Sequence, residues 1–435
     1  MATRFWFEPT QTASGNIWQL MKITAVGCSQ GGRRLFYIKG TTQVILAHRI
    51  ELDATCKQKR YFASAAGCAR FVWNWALAEW ERQYAAGENP SGMKLKKEFN
   101  ATKYERFSWI KNIHRDAHSQ PFANLDNAYK SYFKKISKKP RFKKKRLCND
   151  SFAVANDRIR IDGKAIFIPK IGRVRIRESL RFTGKIMGAV VSRTADRWFI
   201  SIRVDVGGYG KQRTGNGVVG VDLGLNVTAM VSDGQRLVGP KALKANLKKL
   251  QRASRQHSRK KKGSNNRKKS TTRLARIHAR IANIRKDWQH KTTTKLASEN
   301  QAVYFESLAV KNMMKNRRLA RSISDAGWSE MIRQASYKSV IYGGECRQID
   351  RWFPSSKVCR KCGQINDNLT LSDRVFNCDG CGHSEDRDLS ASHNICTAGL
   401  AGIYAHGPEG SGLGDQTKPC RDEVRPNQYS LVDTL

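Results

Sequence analysis

Apolar and polar positions along this chain follow two different periods, and the switch between them divides it. In residues 61–80 (YFASAAGCARFVWNWALAEW), Ala65, Ala69, Val72, Ala76 and Trp80 recur at steps of three and four, the spacing of a helix face. Phe71, Trp73 and Trp75 carry apolar character almost all round, which predicts a helix buried on several sides. Arg70 and Asn74, four apart, share a polar face that either meets nucleic acid or serves as surface and cap. A second helix is predicted over 120–135 from Phe122, Leu125, Ala128, Tyr129 and Phe133, running into KKISKKPRFKKKR, where Pro140 breaks it. From 151 to 206 the period drops to two, in FAVAN, RIRID, AIFIP, GRVRIR and AVVSRTADRWFISIRVD. In the last of these Trp198, Ile200, Ile202 and Val204 alternate with Phe199, Ser201, Arg203 and Asp205. A small antiparallel barrel or sheet fits, with AHRIEL (47–52) as a further strand and the helices inserted into it. Residues 1–45 have no clear period and read as a loosely ordered extension, and 207–217 (GGYGKQRTGNG) as a linker.

The second half begins with VVGVDLGLNVTAMVSDG, two apolar strands around a glycine turn, with Asp222 on the first. An ionised carboxylate amid Val219, Val221 and Leu223 is expensive unless it is paired or bound to a cation. Between residues 241 and 291 stand nineteen Lys and Arg against one acid, Asp287, yet a narrow stripe persists through Leu243, Leu247, Leu250, Leu274, Ile277, Ile281, Ile284 and Trp288. This predicts two basic amphipathic helices joined at GSNNRKK. A third core strand, 302–308 (AVYFESL), ends its apolar run at Glu306; 324–337 is predicted helical, and 344–350 leads towards the cysteines. Beyond Ile395 the chain soon turns to Gly, Pro and polar residues, and the last thirty or so are expected to be disordered.

Composition sharpens the picture. Eighty Lys and Arg against 36 Asp and Glu give a formal charge of +44 over 435 residues, which calls for a polyanionic partner. A basic membrane-surface protein is the competing reading, but no apolar run approaches the length of a transmembrane helix and the N-terminus lacks a signal-peptide pattern. Two Cys-x-x-Cys pairs, Cys359/Cys362 and Cys378/Cys381, have the spacing of a closed four-thiolate Zn²⁺ site that holds structure and leaves no position for water. The alternative is four unrelated buried cysteines. Cys28, Cys56, Cys68, Cys148, Cys346, Cys396 and Cys420 have no pairing rhythm and read as reduced thiols of a cytoplasmic chain. The chemistry is then to be sought in carboxylates. Asp222, Glu306 and Asp388, from two strands and a helix, can converge at a sheet edge and hold two Mg²⁺ ions about 3.5–4 Å apart for phosphodiester hydrolysis. Any one of them could instead be a structural partner for an arginine.

GVDLGLNVTAMVSDG, FESLAVKNMMKNRRLARSISDAGW, DRWFPSSKVCRKCG and CGHSEDRDLSASHNI resemble, in order, segments of the TnpB family of transposon-encoded RNA-guided nucleases. GCARFVWNWAL and SKKPRFKKK resemble its N-terminal half, so the likeness spans residues 46–400. It implies an α+β multidomain protein with a RuvC-like (RNase H-fold) nuclease domain (218–357 and 384–400) interrupted by a zinc-binding module (358–383). It also implies a β-barrel wedge domain (46–52 and 151–206) that carries a helical recognition domain (53–150), and it leaves 401–435 as a tail. By the same resemblance the protein holds a guide RNA, reads a short motif beside its target in double-stranded DNA, and cuts, one protein per guide, in the nucleoid of a bacterium or archaeon. Asp222, Glu306 and Asp388 match the family's three acids, with Asp386 the competitor for the third. Ser390 and Ser392 stand where the family has Asn and Ala, and Asn226 replaces a basic residue. The expected nucleic-acid contacts are Arg70, Asn74, Lys134, Lys135, Lys138, Lys139, Arg141, Lys143, Lys260, Lys261, Arg267, Arg276 and Arg280. The alternatives are a miniature type V CRISPR nuclease, a guided repressor that has lost cleavage, and a transposase acting without RNA.

Overall fold

The computed structural model describes residues 44–404 apart from Arg146, Gly208, Tyr209 and Leu371. The expectations for the N-terminal extension up to residue 43 and for the tail beyond 404, with Cys28 and Cys420, lie outside the described residues.

The first unit is organised around its earliest strand, β1 (Ile45–Asp53). Thr55 then opens α1 (Cys56–Ala85) with a reciprocal capping box: its hydroxyl accepts the Gln58 N–H, and the Gln58 side chain accepts the Thr55 N–H. The helix exceeds the predicted 61–80 at both ends because its terminal turns are polar and carry no apolar period. Helix α2 (Gly92–Arg106) escaped the sequence reading, since within it only Gly92, Leu95, Phe99 and Lys103 are buried. Helix α3 (Arg115–Phe133) stops before Pro140; Lys135 has already left the helix at φ 57°. Strands β2 (Ser151–Val154), β3 (Arg160–Asp162), β4 (Ala165–Ile168), β5 (Gly172–Ile176), β6 (Lys185–Thr194) and β7 (Arg197–Asp205) complete an antiparallel sheet in the order β2-β6-β7-β1-β5-β4-β3. The segment AVVSRTADRWFISIRVD is thus the hairpin β6–β7, which turns at Ala195–Asp196. No ladder joins β2 to β3 among the described residues, so the expected barrel is an open sheet here. As the alternation required, Trp198, Ile200, Ile202 and Val204 are buried, and they pack with Phe62, Phe152 and the α1–α3 helices in one core.

The second unit starts where the linker docks: Lys211 donates its N–H to the Ile341 carbonyl and Thr214 to that of Ser298. Strands β8 (Gly217–Asp222), β9 (Ala229–Val231) and β10 (Arg236–Leu237) form an antiparallel meander. The chain then leaves the sheet through α4 (Ala242–Ser258) and α5 (Asn265–Glu299) and returns as β11 (Asn300–Phe305), parallel to β8 on its other side. Helices α6 (Val310–Met313), α7 (Ala320–Ala326) and α8 (Trp328–Ile341) lead to β12 (Glu345–Gln348), parallel to β11. The single helix predicted at 324–337 is two, split at Gly327, whose φ of 66° is a left-handed conformation that glycine adopts without strain. Strands β13 (Val375–Asn377) and β14 (Ser384–Asp386) pair as a ribbon, and α9 (Arg387–Leu400) follows directly.

Successive side chains on a strand point to opposite faces. Val219, Val221, Val303 and Phe305 pack with Leu296 of α5 and with Trp328, Met331 and Ala335 of α8. Ala302 and Tyr304 pack with Ile395 and Ala398 of α9 on the other face. The result is three layers, with the sheet between α5/α8 and α9.

At Gly220 the α9 backbone touches β8: a Cβ there would lie 2.1 Å from the Ser392 carbonyl oxygen and 2.4 Å from the Cys396 nitrogen. Gly220→Ala should therefore push α9 off the sheet and destabilise the protein by about 1–3 kcal/mol, as overpacking does. Denaturant unfolding checks this; an unchanged midpoint would mean α9 is not held by that contact.

Candidate active site

The chain leaves β8 in one direction, through β9 and β10, and returns on its opposite side as β11, so the β8/β11 boundary is the switch point of the sheet. Ligands of open α/β sheets gather at the carboxyl ends of strands beside such a point. Asp222 is the last residue of β8, and Glu306 follows β11, whose Phe305 is in register with Val221. Both share parity with Gly220 and Tyr304, the residues that face α9. Asp388 lies in the first turn of α9, at the same end of the sheet. The Leu223 N–H donates to Glu306 Oε1 at 2.7 Å, which ties the two strand ends together.

Burial, and after it the charge of Asp388, pushes the Asp222 carboxyl up to about 7, while the Arg387 guanidinium opposes the rise. Burial, followed by the charge of Asp222, pushes Glu306 up to about 8. The two carboxyls thus resist ionising together. Carboxylate oxygens are hard donors, of the kind that suit Mg²⁺ rather than a soft metal. Among the described residues the three acids are not drawn into one tight ligand set; only the cysteines are. Asp386 and Asp388 are distinguished by geometry. Asp386 caps α9, its carboxylate accepting the Leu389 N–H at 3.0 Å. Both acids raise Asp222, Asp388 more than Asp386. Arg387, missed in the sequence, lies 3.6 Å from Asp388 Oδ1 and also donates to the Thr370 carbonyl at 3.1 Å. Ser392, in the position of the family's Ala, is fully buried, and its hydroxyl donates to the Leu389 carbonyl.

The four cysteine sulfurs lie within 4.8 Å of one another, with Cys359 to Cys381 at 3.6 Å and Cys362 to Cys378 at 3.5 Å. Four sulfurs about 2.3 Å from one tetrahedral Zn²⁺ would be separated by roughly 3.8 Å, so the set fits. Two matching turns build it. Gly363 N–H returns to the Cys359 carbonyl and Gly382 N–H to that of Cys378, each glycine at positive φ. Burial works against a Cys359 thiolate, but the N–H groups of Cys362 and Lys361 outweigh it and bring the thiol down to about 6. β14 belongs to this ribbon, so the module extends to Asp386, past the expected end at 383.

The basic residues divide. Arg70 pairs with Asp150 at 3.0 Å, and Asn74 exchanges two hydrogen bonds with the Lys143 backbone. Their expected nucleic-acid face therefore serves to hold loop 134–150 along α1. In that loop the Trp73 indole donates to the Arg141 carbonyl, and the Lys143 ammonium sits 3.7 Å from the Trp73 ring centroid. Lys139 pairs with Glu81, Arg276 with Asp196, and Arg267 donates to the carbonyls of His257 and Lys260 at the α4–α5 turn. Lys134, Lys135, Lys138, Arg141, Lys261 and Arg280 are exposed. A positioning residue without a sequence signal is Asp325. Its carboxylate accepts the Leu243 and Lys244 N–H groups at the start of α4 and so anchors the basic hairpin to α7. No helix among the described residues is long and apolar enough to cross a membrane.

Acids at the switch point of a mixed sheet, with a four-thiolate ribbon leading straight into the helix that carries the third acid, define an α+β multidomain protein of Cas12f-like structure. A solved chain titled "Cryo-EM structure of the Cas12f1-sgRNA-target DNA complex" superposes with a TM-score of 0.51 at 15% identity, over 79% of this chain and 83% of its own, a likeness of fold. Residues 201–317 match the family described as "Probable transposase" (OrfB of IS605), and 328–395 match "Cas12f1-like, TNB domain". Residues 44–89 match "Helix-turn-helix domain", although here they form β1 and one 30-residue helix. A Streptomyces pristinaespiralis protein named "Putative RNA-guided DNA endonuclease" is 34% identical over 396 residues, 89% of this chain and 96% of its own length. The InsQ protein of Escherichia coli K12, which carries the same description, is 34% identical over 368 residues, 80% of this chain and 89% of its own. The chain belongs to the TnpB family.

Two outcomes follow from the site. Chelation of zinc, or Cys378→Ser, should lower the melting temperature and release one zinc per chain, because ligation free energy is folding free energy. Unchanged melting would show that the thiolates hold no structural ion. The pH dependence has a definite sign. Carboxyls whose folded pKa lies above the unfolded value stabilise the fold at low pH, and this contribution is lost as pH rises from about 4 through 7 to 8. In chelator, the wild-type protein should thus lose stability between pH 5 and 8.5 more than Asp222→Asn does. Added Mg²⁺ should restore it more at pH 8.5 than at pH 6, and parallel pH curves for the two proteins would refute the assignment.

Proposed function

We propose that this chain is an RNA-guided DNA endonuclease whose RuvC-like (RNase H-fold) unit hydrolyses phosphodiesters with two Mg²⁺ ions. The observation that carries the reading is the pairing of Asp222 with Glu306 at the carboxyl ends of adjacent parallel strands, with Asp388 acting on Asp222 from α9. Asp222, Glu306 and Asp388 are the residues that would hold the ions. The chemistry two such ions would supply there is activation of water and stabilisation of the leaving oxygen. The protein's own part is to fix the carboxylates on a rigid sheet. Arg387 keeps Asp388 in place and offsets the crowding of negative charge.

The relatives named as RNA-guided DNA endonucleases support the guide, and the composition agrees with it. A protein that leaves sequence reading to base pairing needs charge for the backbone of an RNA and a heteroduplex, with few base contacts of its own. The exposed lysines and arginines of the 134–145 loop and of the α4–α5 hairpin are suited to that backbone. The intact acid trio favours a cutting enzyme over a guided repressor.

Asp222→Ala should abolish cutting of a matched double-stranded target. Loss of several kcal/mol of metal-borne stabilisation corresponds to about three powers of ten in rate. Guide RNA and target should still bind in a mobility-shift assay with copurified RNA. Cleavage at the wild-type rate would remove Asp222 from the site, and the absence of a discrete copurifying RNA would remove the guide.

A further inference from the structure

The loop that follows α3 has a tightly held backbone at the one aromatic residue it leaves in water. Pro140 restricts the chain at its start. The Trp73 indole donates to the Arg141 carbonyl at 3.1 Å. The Lys143 N–H donates to Asn74 Oδ1 at 2.7 Å, and Asn74 Nδ2 donates to the Lys143 carbonyl at 3.0 Å. The backbone on either side of Phe142 is thus tied to α1. Lys143 lays its ammonium 3.7 Å from the Trp73 ring centroid, whereas Phe142 is 51% exposed and makes no ring or cation contact among the described residues. A phenyl ring left in water forgoes the stabilisation that burial would bring. Here its anchored flanks present it at one place instead of letting it sweep through solvent. Lys139 and Asp150, towards the two ends of the loop, pair with Glu81 and with Arg70 and Arg193. Arg141, Lys144 and Lys145, next to Phe142 in sequence, are exposed and form no ion pair among the described residues. The loop therefore offers one aromatic ring flanked by uncompensated cations.

We propose that Phe142 is a stacking platform for an unpaired base of the guide RNA, with Arg141, Lys144 and Lys145 taking the adjoining phosphates. The inference rests on the RNA-guided reading above and goes beyond it by giving a base contact to a loop whose charge alone would hold only backbone. Charge complementarity selects a polyanion over a second copy of this chain, because two such loops repel each other. Bases inside a duplex are covered by their neighbours, so the exposed ring calls for an unpaired one. Every base has a π-face, so the contact needs no sequence match. The residues lining the cleft beside Glu306 all belong to the second unit, whereas Phe142 sits on a loop that α1 holds in the first. The base it meets is therefore in the RNA that the protein carries, not in the strand at the acids. Trp73 and Asn74 touch no base in this arrangement; they are positioning residues that aim the loop.

The test uses the full chain and the RNA that copurifies with it, remade with 5-iodouridine at each unpaired position in turn. Irradiation should give an RNA adduct on Phe142 from one of these positions or its neighbour. Phe142→Leu keeps the apolar bulk and removes the ring. It should weaken RNA binding about tenfold, as loss of one stacked base does, with the melting temperature and the salt dependence of binding unchanged. Phe142→Tyr should bind as the wild type does, and Arg141→Gln should instead flatten the salt dependence by about one counter-ion. Three results would each overturn the proposal and leave guided cutting intact: no Phe142 adduct from any position, wild-type affinity in Phe142→Leu, or an adduct formed only by 5-iododeoxyuridine in the target DNA. Absence of a discrete copurifying RNA overturns the guided reading and this inference together. A Phe142 adduct in a complex that does not cut overturns the nuclease reading alone.

Discussion

The parallel pairing of β8 with β11 is the constraint on which the rest of the molecule depends. Two strands 78 residues apart in sequence can lie side by side and parallel only if the intervening chain crosses over a face of the sheet. The α4–α5 hairpin is that crossover, so the most basic helices of the chain are anchored to the sheet that carries the acids. The register that places Phe305 against Val221 also places Glu306 beside Asp222. A slip of one residue would send one carboxylate into the α5/α8 core. Fold and site are thus fixed by the same ladder.

Helix α9 closes the arrangement from the other face, and it does several things with few residues. Asp386 ends the zinc ribbon and caps the helix; Asp388 sits one turn in; and Ser392 lies against Gly220. Asn394 donates to the carbonyls of Ser355 and Val358, both at 2.7 Å, and so pins the approach to the first Cys-x-x-Cys pair. The cysteine ribbon is consequently a brace for Asp388: it sets where α9 begins. The geometry of the four thiolates is thereby coupled to the position of a helix N-terminus some distance away.

How much of this was legible beforehand depended on whether the signal was local. The alternation of Trp198, Ile200, Ile202 and Val204 and the cysteine spacing are local patterns, and both stand in the structure. The helices around Phe62 and Phe122 were found but mis-bounded, because helix ends are set by caps such as Thr55 and by left-handed residues such as Lys135, not by apolar period. Helix α2 was missed because its buried face is only a few residues wide. The roles of Arg70, Asn74 and Asp325 were illegible for a different reason: each is decided by a partner distant in sequence, Asp150, Lys143 and Leu243 respectively. A polar residue on a helix shows no sign in sequence of whether it faces solvent or a returning loop. Asp222 and Glu306 were visible as acids at the ends of apolar runs, but their adjacency is a property of register alone.

That distinction also sorts the charge. A formal +44 spread evenly would repel the fold as much as attract a ligand. Here part of it is consumed internally, by Asp150, Glu81 and Asp196, and these pairs tie the loop to α1 and the β6–β7 hairpin to α5. Most of the remaining cations are exposed on long side chains, where a polyanion rather than a carboxylate is their natural counter-ion. The exposed pair of Arg276 with Asp196 links the basic hairpin of the second unit to the sheet of the first. One nucleic acid lying along those faces would then contact both units at once, which gives a physical reason for the excess charge to sit on the elements that join them.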